Sequence, residues 1–372
     1  MAGRVPRIFL SAGEASGDLH GGALVTALRG RLPDAELEAL GGPRMANAGA
    51  TVRYPLERYS VLGFAEILGS LPAHWRLLRR LQREFRAGRY DLVVPIDYPG
   101  FNVRLAEAAR RSGIKVLYYI APKYWASGAR RVGRLARAVD RLAVILPFES
   151  GFFRRRGLRA EYVGHPLLDR APRLTREAAR VDLGIAPGER VLALFPGSRV
   201  QEVSRLWPAF RDAARLLLAQ GRCDRVVVAA IAAGRYPGTD GFLLRQDESA
   251  TLLAAADAAL IKSGTATLEA ALADVPMVVA YRVHWLTAWL ARQLITVPWI
   301  SLVNLIAERP VVAELTQRAV RPARLAHALA PLLELGSAAA ERQREGFRLV
   351  RQRLGNPGAA ARVAELAAEL LG

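Results

Sequence analysis

Cysteine is almost absent: Cys223 is the only one in 372 residues. An internal disulfide and a cysteine-based metal cluster are thereby excluded. Lysine is nearly as scarce, with Lys115, Lys123 and Lys262 supplying all of it, so the formal net charge of +19 is almost wholly arginine. That excess favours anionic partners, whether nucleic acid, anionic lipid or phosphorylated substrates, and does not choose among them. No D-x-D sequence occurs and the five histidines lack ligand spacing, so no metal-held diphosphate is expected. No cofactor is expected either. Apolar runs all fall short of the roughly 18 residues of a membrane span. Behind the basic MAGRVPR only Ile8, Phe9 and Leu10 precede Ser11 and Glu14, too little for a secretory signal. The expectation is a cytoplasmic protein.

What is present is a long apolar inventory, 52% of the chain, enough for two domains of roughly 150 to 200 residues. Short apolar runs at Arg7–Leu10, Leu92–Ile96, Val116–Ile120 and Leu142–Leu146 alternate with amphipathic helical patterns, and the alternation restarts at Val191–Phe195, Val226–Ile231, Ala258–Ile261 and Met277–Ala280. Alternation of this kind predicts an α/β protein of two Rossmann-like, doubly wound parallel-sheet domains facing a cleft. Expected boundaries are residues 1–165, 166–350, and a C-terminal helix within 351–372 that is free to pack back on the first domain. Asn356 and Pro357 read as N-cap and first residue of that helix, Ala359–Leu371.

The most informative stretch is DAALIKSGTATLEAALADVPMVVAY, Asp257–Tyr281. It reads strand, small-residue turn, helix, strand. Ser263, Gly264 and Thr265 fall where a helix opens, and the free N–H groups and dipole there favour an anion. Glu269, one turn inside, is placed to reach a sugar hydroxyl beside it. A second turn, PGSR, carries Ser198 and Arg199, whose fork of donors suits a phosphate. The pair predicts a nucleotide-sugar diphosphate site.

In the first half, AGEASGDLHGG lacks the G-x-G-x-x-G spacing, so a dinucleotide site is disfavoured. Glu14, Ser16, Asp18 and His20 suit sugar hydroxyls, while Ser16 or Asp18 serves equally as a helix cap. Asp97, at the expected end of a central strand before Tyr98-Pro99-Gly100-Phe101-Asn102, is a candidate general base for an attacking hydroxyl. The bland reading is a carboxylate bonded to its own turn. His165 reads as a second candidate base or as a hinge residue. Val61–Leu71, the helix with Trp75 and its arginines, the segment Trp285–Trp299, and the arginines at 130, 131, 134, 137 and 141 suit a lipid interface or core-facing helices with solvated arginines.

In order along the chain, AGEASGD, GGPRMANAG, IDYPGFN, PFE, VGHPL, PGSR, SGTATLE and SLVNLI, with the later Glu314 and Gln317, resemble the lipid-A-disaccharide synthases, family 19 glycosyltransferases of GT-B fold. The resemblance covers nearly the whole chain. It implies inverting, metal-independent transfer of 2,3-diacylglucosamine from its UDP conjugate to 2,3-diacylglucosamine 1-phosphate, giving lipid A disaccharide 1-phosphate and UDP. It further implies donor contacts at Arg199, Ser198, Ser263, Gly264, Thr265, Glu269, Asn304 and Gln317, and catalytic roles for Asp97 and Glu14. Ser16, Asp18 and Asn102 would meet the acceptor. Peripheral association with the cytoplasmic face of the inner membrane is implied, nucleic acid is not, and a homodimer stays open. The chain departs from the pattern within Tyr119–Val132, in a shortened Ala229–Leu252, and at Lys262 and Val303, where a small residue and a proline are expected. Other GT-B enzymes, a UDP-N-acetylglucosamine 2-epimerase or a polyprenyl-linked glycosyltransferase, remain the alternative; a basic nucleic-acid-binding protein ranks last.

Overall fold

The structure is a computed structural model describing residues 4–59, 64–170, 174–246, 248–284 and 297–372, with the side chains of the second span described from residue 72. The chain divides into two compact units, residues 1–170 with 356–372, and residues 171–355.

Among the described residues the first unit holds seven parallel strands: β1 (Arg7–Ala12), β2 (Glu36–Gly41), β3 (Thr51–Pro55), β4 (Leu92–Ile96), β5 (Lys115–Tyr119), β6 (Arg141–Val144) and β7 (Ala160–Tyr162), in the order β3-β2-β1-β4-β5-β6-β7. The second holds six: β8 (Val191–Phe195), β9 (Arg225–Ala230), β10 (Phe242–Gln246), β11 (Ala258–Lys262), β12 (Met277–Tyr281) and β13 (Ala313–Thr316), ordered β10-β9-β8-β11-β12-β13. Both start as a Rossmann sheet does, with the order reversing once. Strands buried on both faces need unbroken apolar sequence, and β4 and β8 are buried at every residue.

Several strands, among them β2, β10 and β13, carry no such run and escape a reading by hydropathy. In β2, ELEALG, Glu38 is partly buried because it accepts from Arg89 Nη2 at 2.6 Å, Arg53 Nη1 at 3.0 Å and Tyr90 Oη at 2.5 Å. The edge strand β10 stays half-exposed, and residues 231–241 join it to β9 without a helix. The short β13 uses Glu314 as an internal acceptor.

Two further expectations change. The last helix begins at Ala359, but its N-cap is Gly358 at φ +106°, and Asp169 accepts from the backbone N–H groups of Gly358 and Ala360. Asn356 and Pro357 stand outside it, because this carboxylate from the same unit supplies the cap. In the helix Phe64–Arg86, Leu77, Leu78, Leu81 and Phe85 are buried, whereas Trp75 is 55% exposed with the Arg79 guanidinium 3.5 Å above its ring. Trp75 is not a core residue. The sticky stretches at 61–63 and 285–296, and the side chains of 64–71, lie outside the described residues.

Asp18 links two motifs of the first unit. Its buried carboxylate accepts from the backbone N–H groups of Gly42 at 2.7 Å, Arg44 at 3.0 Å and Met45 at 3.2 Å, capping the helix Pro43–Asn47. Three backbone donors, two of them buried, lose their acceptor in Asp18→Ala. That variant should lose about 3 kcal/mol of folding stability, measured by denaturant unfolding; a loss within experimental error would show the cap to be dispensable.

Candidate active site

A right-handed crossover sends the helices after β1 and β4 to opposite faces of the sheet, and those after β8 and β11 likewise, so a crevice opens outside the strand ends at each reversal. The candidate residues fall at these two places.

In the first unit Ala12 pairs in register with Ile96, which sets Gly13–Ser16 beside Asp97–Asn102. Asp97 and Tyr98 both adopt left-handed backbone, φ +47° and +49°, a conformation that costs a non-glycine residue on the order of 1 kcal/mol or more. Three contacts hold it. The Asp97 N–H donates to the Tyr119 carbonyl at 2.9 Å, and the Asp97 carbonyl accepts from Tyr118 Oη at 2.7 Å and Asn102 Nδ2 at 2.9 Å. Asn102 Nδ2 also reaches the carbonyls of Ser11 and Ile96, and its Oδ1 accepts from Ser11 Oγ at 2.7 Å. The strained turn leaves the Asp97 side chain partly buried. Burial raises its pKa above the ordinary aspartate range, opposed by its hydrogen bond from the Tyr98 backbone and by Lys123, and assisted by the Glu14 charge.

Gly13 is needed for this packing, since a Cβ there would lie 2.0 Å from the Tyr98 ring. Tyr98 Oη is 3.3 Å from His74 Nε2, and the His74 ring meets Phe101 edge-on. Glu14 and Ser16, at the start of the helix Ala15–Arg31, are exposed. His20 and His165 are held neutral, at about 4 and about 3, first by burial. His165 Nδ1 accepts from the Leu167 N–H at 3.2 Å, a capping contact rather than a base awaiting substrate.

In the second unit Ile261 pairs with Phe195, bringing the PGSR and SGT turns together. Gly197 has φ +137°, and a Cβ there would lie 2.6 Å from Glu202 Cβ, so only glycine fits this turn. Arg199 is the N-cap of the helix Val200–Ala219, and Ser198 precedes it with its N–H donating to Glu202 Oε2 at 3.1 Å. Gly264 is the N-cap of Thr265–Leu272, with its carbonyl accepting from Thr267 Oγ1. Ser263 Oγ donates to the Ile300 carbonyl at 2.7 Å. Glu269 is half-buried one turn into that helix.

The segment Ile300–Val312 behind Ser263 is held by Glu314 and Asn304. Glu314 accepts from the N–H groups of Ile300 and Ser301, both at 2.9 Å, and from Asn304 Nδ2 at 2.8 Å. Asn304 Nδ2 also donates to the Val312 carbonyl, while its Oδ1 accepts from the Val311 and Val312 N–H groups. Gln317, at φ +49°, lines a separate open cavity of about 400 Å³ with Pro208, Arg282 and Arg318.

Three residues expected to touch substrate are thus differently engaged. Asp18, Asn102 and Asn304 are buried, and the donors and acceptors of their side chains are directed at backbone or neighbouring side chains. Their hydrogen bonds shape the turns beside the crevices. Glu202 and Glu314, by contrast, organise the PGSR turn and the segment behind Ser263 without having been expected as site residues. Only the spacing of Glu202 to the PGSR turn could have hinted at it. Among the described residues no group of three His, Cys, Asp or Glu is arranged to hold a metal.

A family model described as lipid-A-disaccharide synthetase matches residues 8–369. The chain belongs to the lipid-A-disaccharide synthase family. The family's Azotobacter vinelandii enzyme, named lipid-A-disaccharide synthase, is 43% identical over 90% of this chain and 91% of its own length. That of Myxococcus xanthus is 40% identical over 98% of each chain. Solved structures share the fold at much lower identity. The UDP-N-acetylglucosamine 2-epimerase of Neisseria meningitidis bound to UDP-GlcNAc has a TM-score of 0.65 at 10% identity, over 98% of this chain and 99% of that one. Medicago truncatula UGT71G1 complexed with UDP-glucose has 0.63 at 14%, over 99% of each. Likeness to the epimerase therefore speaks for the GT-B fold alone, and the family assignment places the chain with the glycosyltransferases.

The Asp97 shift carries a stability signature. Burial makes the folded state hold this proton more tightly than the unfolded state. Its contribution is therefore fully present below the ordinary aspartate value of 3.8 and is lost as pH rises through the raised folded value. Asp97→Asn should gain stability relative to wild type on moving from about pH 4 to pH 7; parallel unfolding curves for the two proteins across that window would contradict a raised pKa.

Proposed function

We propose that this chain transfers 2,3-diacylglucosamine from UDP to 2,3-diacylglucosamine 1-phosphate, forming the β-1,6-linked lipid A disaccharide phosphate and UDP. The observation that carries the reading is family membership over residues 8–369 joined to two anion-gripping turns at the β8/β11 reversal. At that reversal Arg199 and the N–H groups of Ser263, Gly264 and Thr265 receive the diphosphate, Glu269 receives a ribose hydroxyl, and Ser198 fixes the turn. Gln317, whose cavity includes neither turn, is left for the nucleoside end of the donor rather than its diphosphate, and Asn304 supports Ser263 through the Ile300 segment.

Acceptor chemistry belongs to the β1/β4 reversal. Asp97 takes the proton of the attacking hydroxyl as the new C–O bond forms, and the electron pair of the breaking bond leaves with UDP. A base raised above the ordinary carboxylate range holds that proton better than a solvated aspartate, while Glu14 tunes it electrostatically. Ser16 offers an exposed hydroxyl to the acceptor; Asp18 and Asn102 act as positioning residues. Helix N-termini and Arg199 stabilise charge on the departing diphosphate.

Asp97→Asn should lower kcat by about a hundredfold or more with UDP affinity unchanged, and Arg199→Ala should weaken both. Turnover is measured as UDP released from UDP-diacylglucosamine with the monosaccharide 1-phosphate present and absent. No acceptor-dependent UDP release from wild type would end the synthase reading, and wild-type turnover in the Asp97 variant would move the base elsewhere.

Acylated substrates suit a peripheral contact with an anionic bilayer, and among the described residues no helix is long and apolar enough to cross one. The exposed Trp75–Arg79 stack, with Arg76 and Arg83 exposed on the same helix, is the face we assign to it. By comparison, Arg134 and Arg141 are tied up by Glu107 and Glu161. Trp75→Ala with Arg79→Ala should release the protein from anionic vesicles in a flotation assay; unchanged flotation would exclude this face.

A further inference from the structure

Lys262 stands where the family resemblance has a small residue, and it is one of three lysines in a chain that otherwise uses arginine. It is the last residue of β11, directly before the SGT turn. Its Nζ lies 2.7 Å from Glu202 Oε1, while Glu202 Oε2 accepts the Ser198 N–H of the PGSR turn. The same Nζ is 3.8 Å from where a Cβ on Gly264 would stand. One ammonium therefore holds the carboxylate that binds the PGSR turn and lies beside the SGT turn, on the seam between their strands.

Glu202 alone would set a negative charge beside a site for a diphosphate, and such a juxtaposition repels the ligand. An ammonium on a flexible four-carbon stem corrects this, since it has three donors and only one faces Glu202. We propose that Lys262 is a diphosphate-binding residue, tethered by Glu202 at the junction of the PGSR and SGT turns. This rests on the donor-site reading above. Glu202 fixes the stem's direction, and the remaining donors serve the phosphate oxygens. The site thereby gains a cation that Arg199 alone would not supply.

Calorimetric titration of wild type, Lys262→Met and Lys262→Arg with uridine, UMP and UDP tests this. Methionine keeps the stem and removes the charge. Lys262→Met should weaken UDP about tenfold, UMP less, and uridine not at all, with donor KM raised more than kcat is lowered; Lys262→Arg should restore most of the loss. If Lys262 only braces the two turns, uridine and UDP weaken together, or neither changes, and the proposal falls. Should Lys262→Met not fold, Lys262→Gln is read by the same ratio of UDP to uridine affinity. Failure of wild type to bind UDP at all would instead remove the donor site itself, a result separate from any change in that ratio.

Discussion

Parallel strands cannot be closed by hairpins, so every connection in both sheets must cross a face and return to the same starting edge. That constraint gathers all strand-to-helix turns at one edge of each sheet, and the single reversal of strand order leaves a gap there. The candidate chemistry follows from it. AGEASGD and IDYPGFN are some eighty residues apart in sequence, yet Ala12 and Ile96 are partners in register. PGSR and SGTATLE are joined in the same way through Phe195 and Ile261.

The turns are then shaped by buried polar side chains whose hydrogen bonds are filled by backbone. Asn102 binds the ends of β1 and β4 together and thereby supports the left-handed backbone of Asp97 and Tyr98. Glu314 and Asn304 do the equivalent behind Ser263. A fully bonded amide or carboxylate in a dry setting is a rigid part, because breaking any one bond leaves a buried group unsatisfied. The first unit also places a carboxylate that burial makes reluctant to ionise, beside an exposed glutamate and a lysine. Such an environment matches a group that must accept a proton during turnover and release it afterwards.

Most of the sheet was legible because strands buried on both faces are written as unbroken apolar runs, as in VLALF and LVVPI. What escaped was polar or exposed. ELEALG of β2 has two glutamates, FLLRQ of β10 is an edge strand, and AELT of β13 contains the acceptor of three internal bonds. Hydropathy cannot tell a glutamate facing Arg53 and Arg89 from one facing water, since its partners lie far along the chain. Trp75 failed in the opposite direction: its spacing suited the helix's core stripe, but Leu77 took the buried position and the indole stayed under Arg79.

By itself, the sequence determined the alternation of strand and helix, the small-residue turns that open helices, and the ordered motifs of the family, because these depend on residue type and local spacing. Tertiary structure decided which of the named side chains keep hydrogen-bonding capacity for a ligand. Asp18, Asn102 and Asn304 looked like ligand groups, and in the folded units their hydrogen bonds run to backbone and side-chain groups of the same unit. Lys262 looked like an unexplained departure, and its meaning came from Glu202, sixty residues earlier and in the first turn of the helix after PGSR. Local spacing encodes where a group sits on its own element. Only the folded sheet sets what faces it.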